Sequence, residues 1–425
     1  MALRRTRPNG TRSMTASIDR LLALWIGLVF PLAIVPSPRI AQFFIGAAIA
    51  LILAGALVDA WRTGGLAETA RQVRSALLEF ASPRWRPAHI LLVFCLYALA
   101  TTLWSFKPAF SAERAGRFLL VAVLSVAFVG LAAPRLSRLK PELMVAGTAL
   151  SALLCFADWA TGAHLLTGTD RPASFIEYNR TAQQCAALVF FAVWCAPRWR
   201  LAMTAAFLVV GGFVAYSDNE TAKLAFIGTI VGLIVLRFVP ARAALTLSMF
   251  AFAAAVILLP VLQPALLDLV AGSPLEALLK PSHQRRLFIW DHIGMLFYQH
   301  PVFGAGFDVT RFGPEIGTIT FFNGTSEHYP TPFHPHGQIL QVAYETGIAG
   351  LALFLGFGLT LLRAIGRLAP QRQTLALALF WGTLAAANIA NGAFATWRLA
   401  FWAILIALVV AIPTGSDGDK RRSAG

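Results

Sequence analysis

The sequence predicts an all-α polytopic membrane protein of about twelve transmembrane helices, with one large segment outside the membrane that contains short amphipathic helices. Three observations predict it. The chain of 425 residues is 57% hydrophobic and only 13% charged, against about 25% charged in soluble domains. Its apolar residues fall in blocks long enough to match the roughly 20 residues a helix needs to cross a bilayer. Lys and Arg lie between the blocks, and mostly on one side of them.

Taken in order, the expected spans are 21–37, 40–58, 89–106, 117–133, 143–161, 181–197, 201–216, 222–237, 242–262, 338–362, 373–391 and 396–412. An even number of spans puts both termini on one side. Basic residues favour the cytoplasmic side of membrane proteins. With the termini cytoplasmic, inside segments hold 23 of the 35 Lys and Arg residues, including Arg62, Arg71, Arg86, Arg135, Lys140, Arg237, Arg242, Arg363 and Arg367. The chain then divides into helices one to nine (1–262), an outward-facing segment (263–337), helices ten to twelve (338–412) and a cytoplasmic tail (413–425). The N-terminal arginines and the apolar run behind them resemble a signal peptide, but no small-residue cleavage site closes the run. The first block reads as a retained span.

The net charge of +15 does not point to nucleic acid, because the basic residues are dispersed between spans. No Gly-rich phosphate loop, RNP-like strand or zinc-finger spacing accompanies them. Cys95, Cys155, Cys185 and Cys195 lie within or beside apolar blocks, which reads as buried thiols and not as a disulfide framework.

The chemistry gathers in the outer segment, which holds six of the eight histidines: His283, His292, His300, His328, His334 and His336. Residues 284–299 place Leu287, Trp290, Ile293 and Phe297 at helical spacing, predicting an amphipathic helix lying at the membrane interface. Charged groups near the membrane are costly and therefore suspect. Arg180 opens span six, Lys223 opens span eight, and Arg285 and Arg286 lie in the outer segment, with Arg398 a further cation on that side. Fixed cations at a bilayer surface suit an anionic headgroup such as a pyrophosphate; each alone also reads as an ordinary interfacial residue. His336 is a natural general base. His334 and His336 with Glu327 and His328 also allow a metal ligand set, although no carboxylate spacing defines one. Gln338, Gln341 and Glu345 continue a polar stripe into span ten.

The run from His336 to Gly350, with Leu340, Glu345 and Gly347 between them, resembles the signature of the O-antigen ligase/polymerase superfamily. Arg286 to Trp290, and His300-Pro301-Val302-Phe303-Gly304-Ala305-Gly306, resemble two further motifs of that family. The sequence departs from the pattern at Gly337, commonly Asn, and at Lys223, where an arginine is usual. The resemblance implies a metal-independent, cofactor-free, inverting glycosyltransferase with a periplasmic active site in a bacterial inner membrane. Its donor would be O-antigen on undecaprenyl pyrophosphate and its acceptor lipid A–core oligosaccharide. His336 would be the general base; Arg286, Arg180 and Lys223, with Arg285, would meet the pyrophosphate; His334, Gln338 and Glu345 are secondary candidates, Glu345 as a structural residue. Polymerase and protein O-oligosaccharyltransferase activities belong to the same superfamily. A lipid-linked oligosaccharide transporter is the reading from another class, and the lack of an internal repeat and the one-sided polar groups weigh against it.

Overall fold

The computed structural model describes residues 14–62, 65, 71, 86–136, 139–161, 178–217, 219–389 and 392–411. The arginines Arg4, Arg5, Arg7, Arg12, Arg74, Arg84, Arg138 and Arg171 and the expected tail 413–425 lie outside the described residues. Helix α1 (Met14–Leu24) passes through a π-turn (Trp25–Val29) into α2 (Phe30–Ala33), and the chain continues as α3 (Ala41–Arg62), α4 (Pro87–Ala100), α5 (Pro108–Ala132), α6 (Pro141–Thr161) and α7 (Asn179–Leu188). Then come α8 (Arg200–Tyr216), α9 (Glu220–Phe238), α10 (Ala241–Val270), α11 (Pro281–Gln299), α12 (Gln338–Ile365), α13 (Pro370–Ala387) and α14 (Thr396–Ala411). Prolines stand in the first turn of α4, α5, α11 and α13, where the missing N–H is not needed and φ is already helical. Among the described residues, seven helices are long and apolar enough to cross a membrane by length and composition. The chain is a multi-pass, all-α membrane protein.

Helix α10 runs past the expected edge at 262 to Val270, through Pro260 and Pro264. Its C-terminal end leads to α11, whose Gly294 packs against the Pro264 ring. The apolar stripe foreseen for this helix is real, but it is turned into the protein and not onto a bilayer surface. Leu287, Ile289, Trp290, Ile293 and Phe297 form one buried cluster with Val309, Leu340, Ala343 and Tyr344. After α11 comes an element that period counting did not anticipate, an antiparallel hairpin of β1 (Gly317–Thr320) and β2 (Ser326–Tyr329), in which Thr318 pairs with His328 and Ile319 with Glu327. Its turn is pinned to the start of α11, where the Gln284 side chain accepts from the Phe322 N–H at 2.9 Å.

The feature that positions everything else is a break in α12. Gly347 has φ 65°, so the helix stops and restarts there. The turn after α11 fills the gap. The Ala305 and Gly306 N–H groups donate to the Tyr344 and Glu345 carbonyls, each at 3.0 Å, while the Ile348 and Ala349 N–H groups donate to the Pro301 and Val302 carbonyls at 2.8 and 3.1 Å. Broken backbone at membrane depth survives only where protein satisfies it, and here the satisfaction is complete on both sides of the break. Gly304 has to lack a Cβ because one would strike the Glu345–Thr346 peptide. The α4–α5 corner locks the turn from the other face. Tyr97 Oη donates to the Phe303 and Thr346 carbonyls at 3.1 and 3.0 Å, and Trp104 Nε1 to the Gly304 carbonyl at 3.1 Å. Phe307 is fully buried against Phe394, with ring centroids 4.1 Å apart.

Gly347→Ala is therefore expected to destabilise the protein. The left-handed conformation costs an L-residue roughly 1–3 kcal/mol, and the added methyl also collides with the Val302 carbonyl. Thermal unfolding in detergent should show a lower midpoint for Gly347→Ala but not for Gly356→Ala, whose new methyl would make ordinary contact with Ile90 at 3.6 Å. Equal midpoints for both variants would mean that the break does not depend on glycine.

Candidate active site

The stub of α12 before the break, residues 338–346, delivers the histidines. Its Glu345 is fully buried. The carboxylate accepts from the Asp308 N–H at 2.5 Å, from the Thr310 N–H and hydroxyl at 3.2 and 2.5 Å, and from Gln341 Nε2 at 3.1 Å. Glu345 thus fastens the 304–310 turn to the stub, and its oxygens are occupied by that task. Gln341 Oε1 in turn accepts from the Ala393 N–H at 2.6 Å. At the head of the stub, Asn388 Oδ1 accepts from the Ile339 N–H at 3.1 Å. Gln338 is also buried, and its Oε1 has no hydrogen-bond partner among the described residues.

Immediately before the stub, His336 takes φ 52°. That conformation is unfavourable for a residue with a Cβ, and such outliers collect at functional sites. It turns the imidazole against His334, with ring centroids 4.3 Å apart. Both rings are half-buried. Burial first, then His334 and the Arg286 guanidinium, push the His336 pKa down to about 3. Burial, with Arg398 and then Arg311 adding to it, pushes His334 down to about 4. Both rings are neutral at neutral pH, with a lone pair available to accept a proton. A side chain at Gly337 would meet the Gln263 amide, 3.1 Å from the new Cβ to Oε1. The absence of a side chain there makes room for this buried glutamine, which also donates to the Asn388 carbonyl at 3.3 Å.

Three cations act on the histidines, Arg286 on His336 and Arg398 and Arg311 on His334. Arg286 on α11 is half-buried, and burial lowers its pKa. It shares its surroundings with His283, Glu220 and Lys280. Glu220, the first residue of α9, holds Lys223 Nζ at 3.6 Å and Lys280 Nζ at 3.3 Å, so Lys223 and Arg286 belong to one neighbourhood. Arg180 is linked to the histidines only through Arg398. Asn219 caps α9 by accepting from the Thr221 and Ala222 N–H groups at 3.0 and 3.2 Å, and its amide donates to the Asn179 carbonyl. One residue thus ties the N-terminal starts of α7 and α9 together. Arg180 lies within electrostatic range of Arg39 and of Arg398, and Arg398 within range of His334. Arg398 lines a narrow cleft together with Gln183, Gln184, Thr221, Trp397 and Trp402.

The neighbouring arginines of α11 separate cleanly. Arg285 is held by Glu327 in two bonds, Nε to Oε1 at 2.6 Å and Nη2 to Oε2 at 2.8 Å, and its guanidinium lies 5.4 Å from the Phe321 ring centre. Its charge is already paired within the hairpin, and it does not join the histidines. Arg286 does. Two polar residues that sequence reasoning passed over sit close by. Asp308 takes φ 56° and bridges Arg114 and Arg311, at 2.5 and 3.2 Å. Gln263 stood at the expected edge of a span, where an amide reads as an interfacial residue.

Comparison with known proteins places this geometry. Residues 205–355 match the family described as O-Antigen ligase, a stretch that runs from α8 through the hairpin to beyond the break in α12. It includes Lys223, Arg286 and His336. A protein of Rickettsia typhi named "Putative polysaccharide ligase" is 40% identical over 77 residues, 18% of this chain and 19% of that protein. Proteins of the same name from Rickettsia felis and Rickettsia bellii are 39% identical over 77 residues and 35% identical over 89 residues. The matched part of the chain spans about a fifth of the length of these relatives (19%, 19% and 22%). Over residues 205–355, the chain is similar to the O-antigen ligase family.

Proposed function

We propose that the chain is a glycosyltransferase that moves O-antigen from undecaprenyl pyrophosphate to lipid A–core oligosaccharide on the periplasmic face of a bacterial inner membrane. The observation that carries the reading is His336, a neutral imidazole in a strained backbone conformation at the mouth of a broken membrane helix, flanked by Arg286. Transfer from a lipid pyrophosphate needs a base for the acceptor hydroxyl and fixed positive charge for the leaving group. This constellation contains both. The acceptor hydroxyl gives its proton to His336 as its oxygen attacks the anomeric carbon. The bond from that carbon to the pyrophosphate oxygen breaks, and undecaprenyl pyrophosphate leaves with the electron pair. Arg286, Lys223 and Arg180 hold the charge that develops on it. Attack from the face opposite the leaving group inverts the anomeric centre. His334 keeps the His336 ring in place, and Glu345 acts only through the turn it fastens.

Burial first, and then His334 and Arg286, suppress protonation of His336 while the site is empty. Donor binding brings negative charge beside Arg286 and makes His336 a stronger base than it is in the free protein. Substrate and catalyst are thereby matched in order of arrival.

His336→Ala should abolish transfer from a purified lipid-linked glycan by at least about 10²-fold, the lower range for loss of an acid–base group, with unchanged membrane levels. Near-normal turnover in that variant would remove His336 as the base. Arg286→Gln should lower turnover as well, whereas Arg285→Gln should leave it near that of the wild type, because Arg285 is already paired with Glu327.

The pH dependence provides a second test. A folded-state pKa of about 3 for His336 lies below the ordinary value near 6.5, so the free protein retains its neutral base as pH falls through 6.5. The acid limb of kcat/KM, which reports the free protein, should therefore lie at lower pH than the acid limb of kcat, which reports the donor complex. Coincident limbs near 6.5 would mean that the base is an ordinary exposed histidine. By the same sign, the unfolded imidazoles take up protons near 6.5 while the folded ones do not, so the protein should lose stability as pH falls below 6.5.

A further inference from the structure

A second cationic surface reaches the histidine pair and has no part in holding the leaving group. It begins where α5 starts. Lys107 is exposed, with Nζ 5.8 Å from the Phe312 ring centre. Phe110 meets Phe312 edge to face at 4.9 Å. The Arg311 guanidinium lies 5.3 Å from the Phe110 ring centre and 5.7 Å from that of Phe333, and Arg114 lies 5.9 Å from Phe110. Arginine and aromatic ring thus alternate across a continuous shelf. Its outermost ring, Phe333, is 71% exposed and immediately precedes His334. Arg114 and Arg311 share the single Asp308 carboxylate, and Lys107 adds a third cation to the shelf. Glu345 lies behind it and is fully enclosed. Arg117, on the next turn of α5, is paired with Glu113 at 2.6 Å. The shelf therefore carries surplus positive charge beside exposed aromatic faces.

Its position relative to the chemistry is fixed by the histidines. His336 feels Arg286, whereas His334 feels Arg398 first and then Arg311 and Asp308. The shelf therefore meets the pair at His334, the residue next to Phe333. An exposed ring of this kind on a membrane protein is commonly an interfacial anchor. Anchors do not require three cations arrayed between the rings, nor a place in the loop that leads to the base. Aromatic faces suit the apolar faces of sugar rings, and fixed guanidinium groups suit phosphate or carboxylate.

We propose that Lys107, Phe110, Arg114, Arg311 and Phe333 form the acceptor subsite, and that it takes an acidic glycan, one bearing phosphate or carboxylate. The proposal rests on reading the chain as a glycosyltransferase, because a shelf beside the base has a partner to present only if two substrates meet there. The same chemistry also suits the headgroup of an anionic phospholipid, and the test separates the two sources.

The test uses the full-length protein in phosphatidylcholine nanodiscs, a soluble phosphorylated tetrasaccharide, and the same tetrasaccharide after phosphatase treatment. Binding is measured with no donor present, so its outcome is independent of whether transfer occurs. Failure of the glycosyltransferase reading would appear instead as absent turnover by the wild type with both substrates supplied. The phosphorylated form should bind the wild type roughly tenfold more tightly, equivalent to about 1.4 kcal/mol. Lys107→Gln should reduce that preference without weakening the neutral form, and Phe333→Ala should weaken both forms alike. Both side chains are exposed, so neither change threatens the fold. Equal binding of the two saccharides by the wild type would overturn the proposal, as would a preference that survives Lys107→Gln. If phosphatidylglycerol in the nanodisc abolishes saccharide binding, the shelf belongs to lipid headgroups and the glycan assignment falls.

Discussion

The hydrogen-bonded exchange between a broken membrane helix and the turn that fills the break is the constraint on which the rest of the structure depends. At Gly347 the ladder of α12 is interrupted, and the freed groups bond to the backbone of residues 301–306. An unsatisfied peptide group in this setting is costly, so helix and turn can only form together. The consequence reaches both ends of the site. The turn fixes Asp308 and the shelf beside it, while the stub fixes His336. Glu345, four bonds deep in the same joint, makes the two halves one body.

Electrostatics divides the surroundings of that joint. Side chains adjacent in sequence on a helix point about 100° apart, as 3.6 residues per turn require, and α11 uses this to send Arg285 to Glu327 and Arg286 toward the histidines. Glu220 holds Lys223 and Lys280 but does not outweigh them. Arg180 stands within range of both Arg39 and Arg398. A site built from like charges is a site for an anion, because only a negatively charged occupant relieves the repulsion. That is the physical sense in which the arrangement favours the proposed pyrophosphate chemistry.

Much of this was legible in the sequence, and what was not has identifiable causes. Long apolar blocks announce membrane helices through composition alone. The spacing of Leu287, Trp290, Ile293 and Phe297 announces α11 through period, although period cannot say whether an apolar face meets lipid or protein; here it meets Tyr344 and Val309. The His336–Gly350 run pointed to the same family that residues 205–355 resemble. Its glycines, however, do not reveal that span 338–362 is broken, because the break is held by residues about 40 positions earlier in the chain. The choice between Arg285 and Arg286 needed Glu327, and the hairpin that carries Glu327 is too short to leave a clear alternating pattern. Arg311 and Asp308 looked like ordinary loop charges until the positive φ of Asp308 and its two arginine partners brought them together.

The joint at Gly347 also has a mechanical meaning. Long membrane helices change tilt when the surrounding bilayer thickens or thins, and an unbroken α12 would pass that rotation directly to whatever its outer end carries. In this protein the same turn is bonded to both sides of the break, to Tyr344 and Glu345 before it and to Ile348 and Ala349 after it, and Tyr97 of α4 bonds the Thr346 carbonyl. The stub that follows His336 therefore takes its direction from a splint of loop backbone as well as from the helix that continues beyond Gly347.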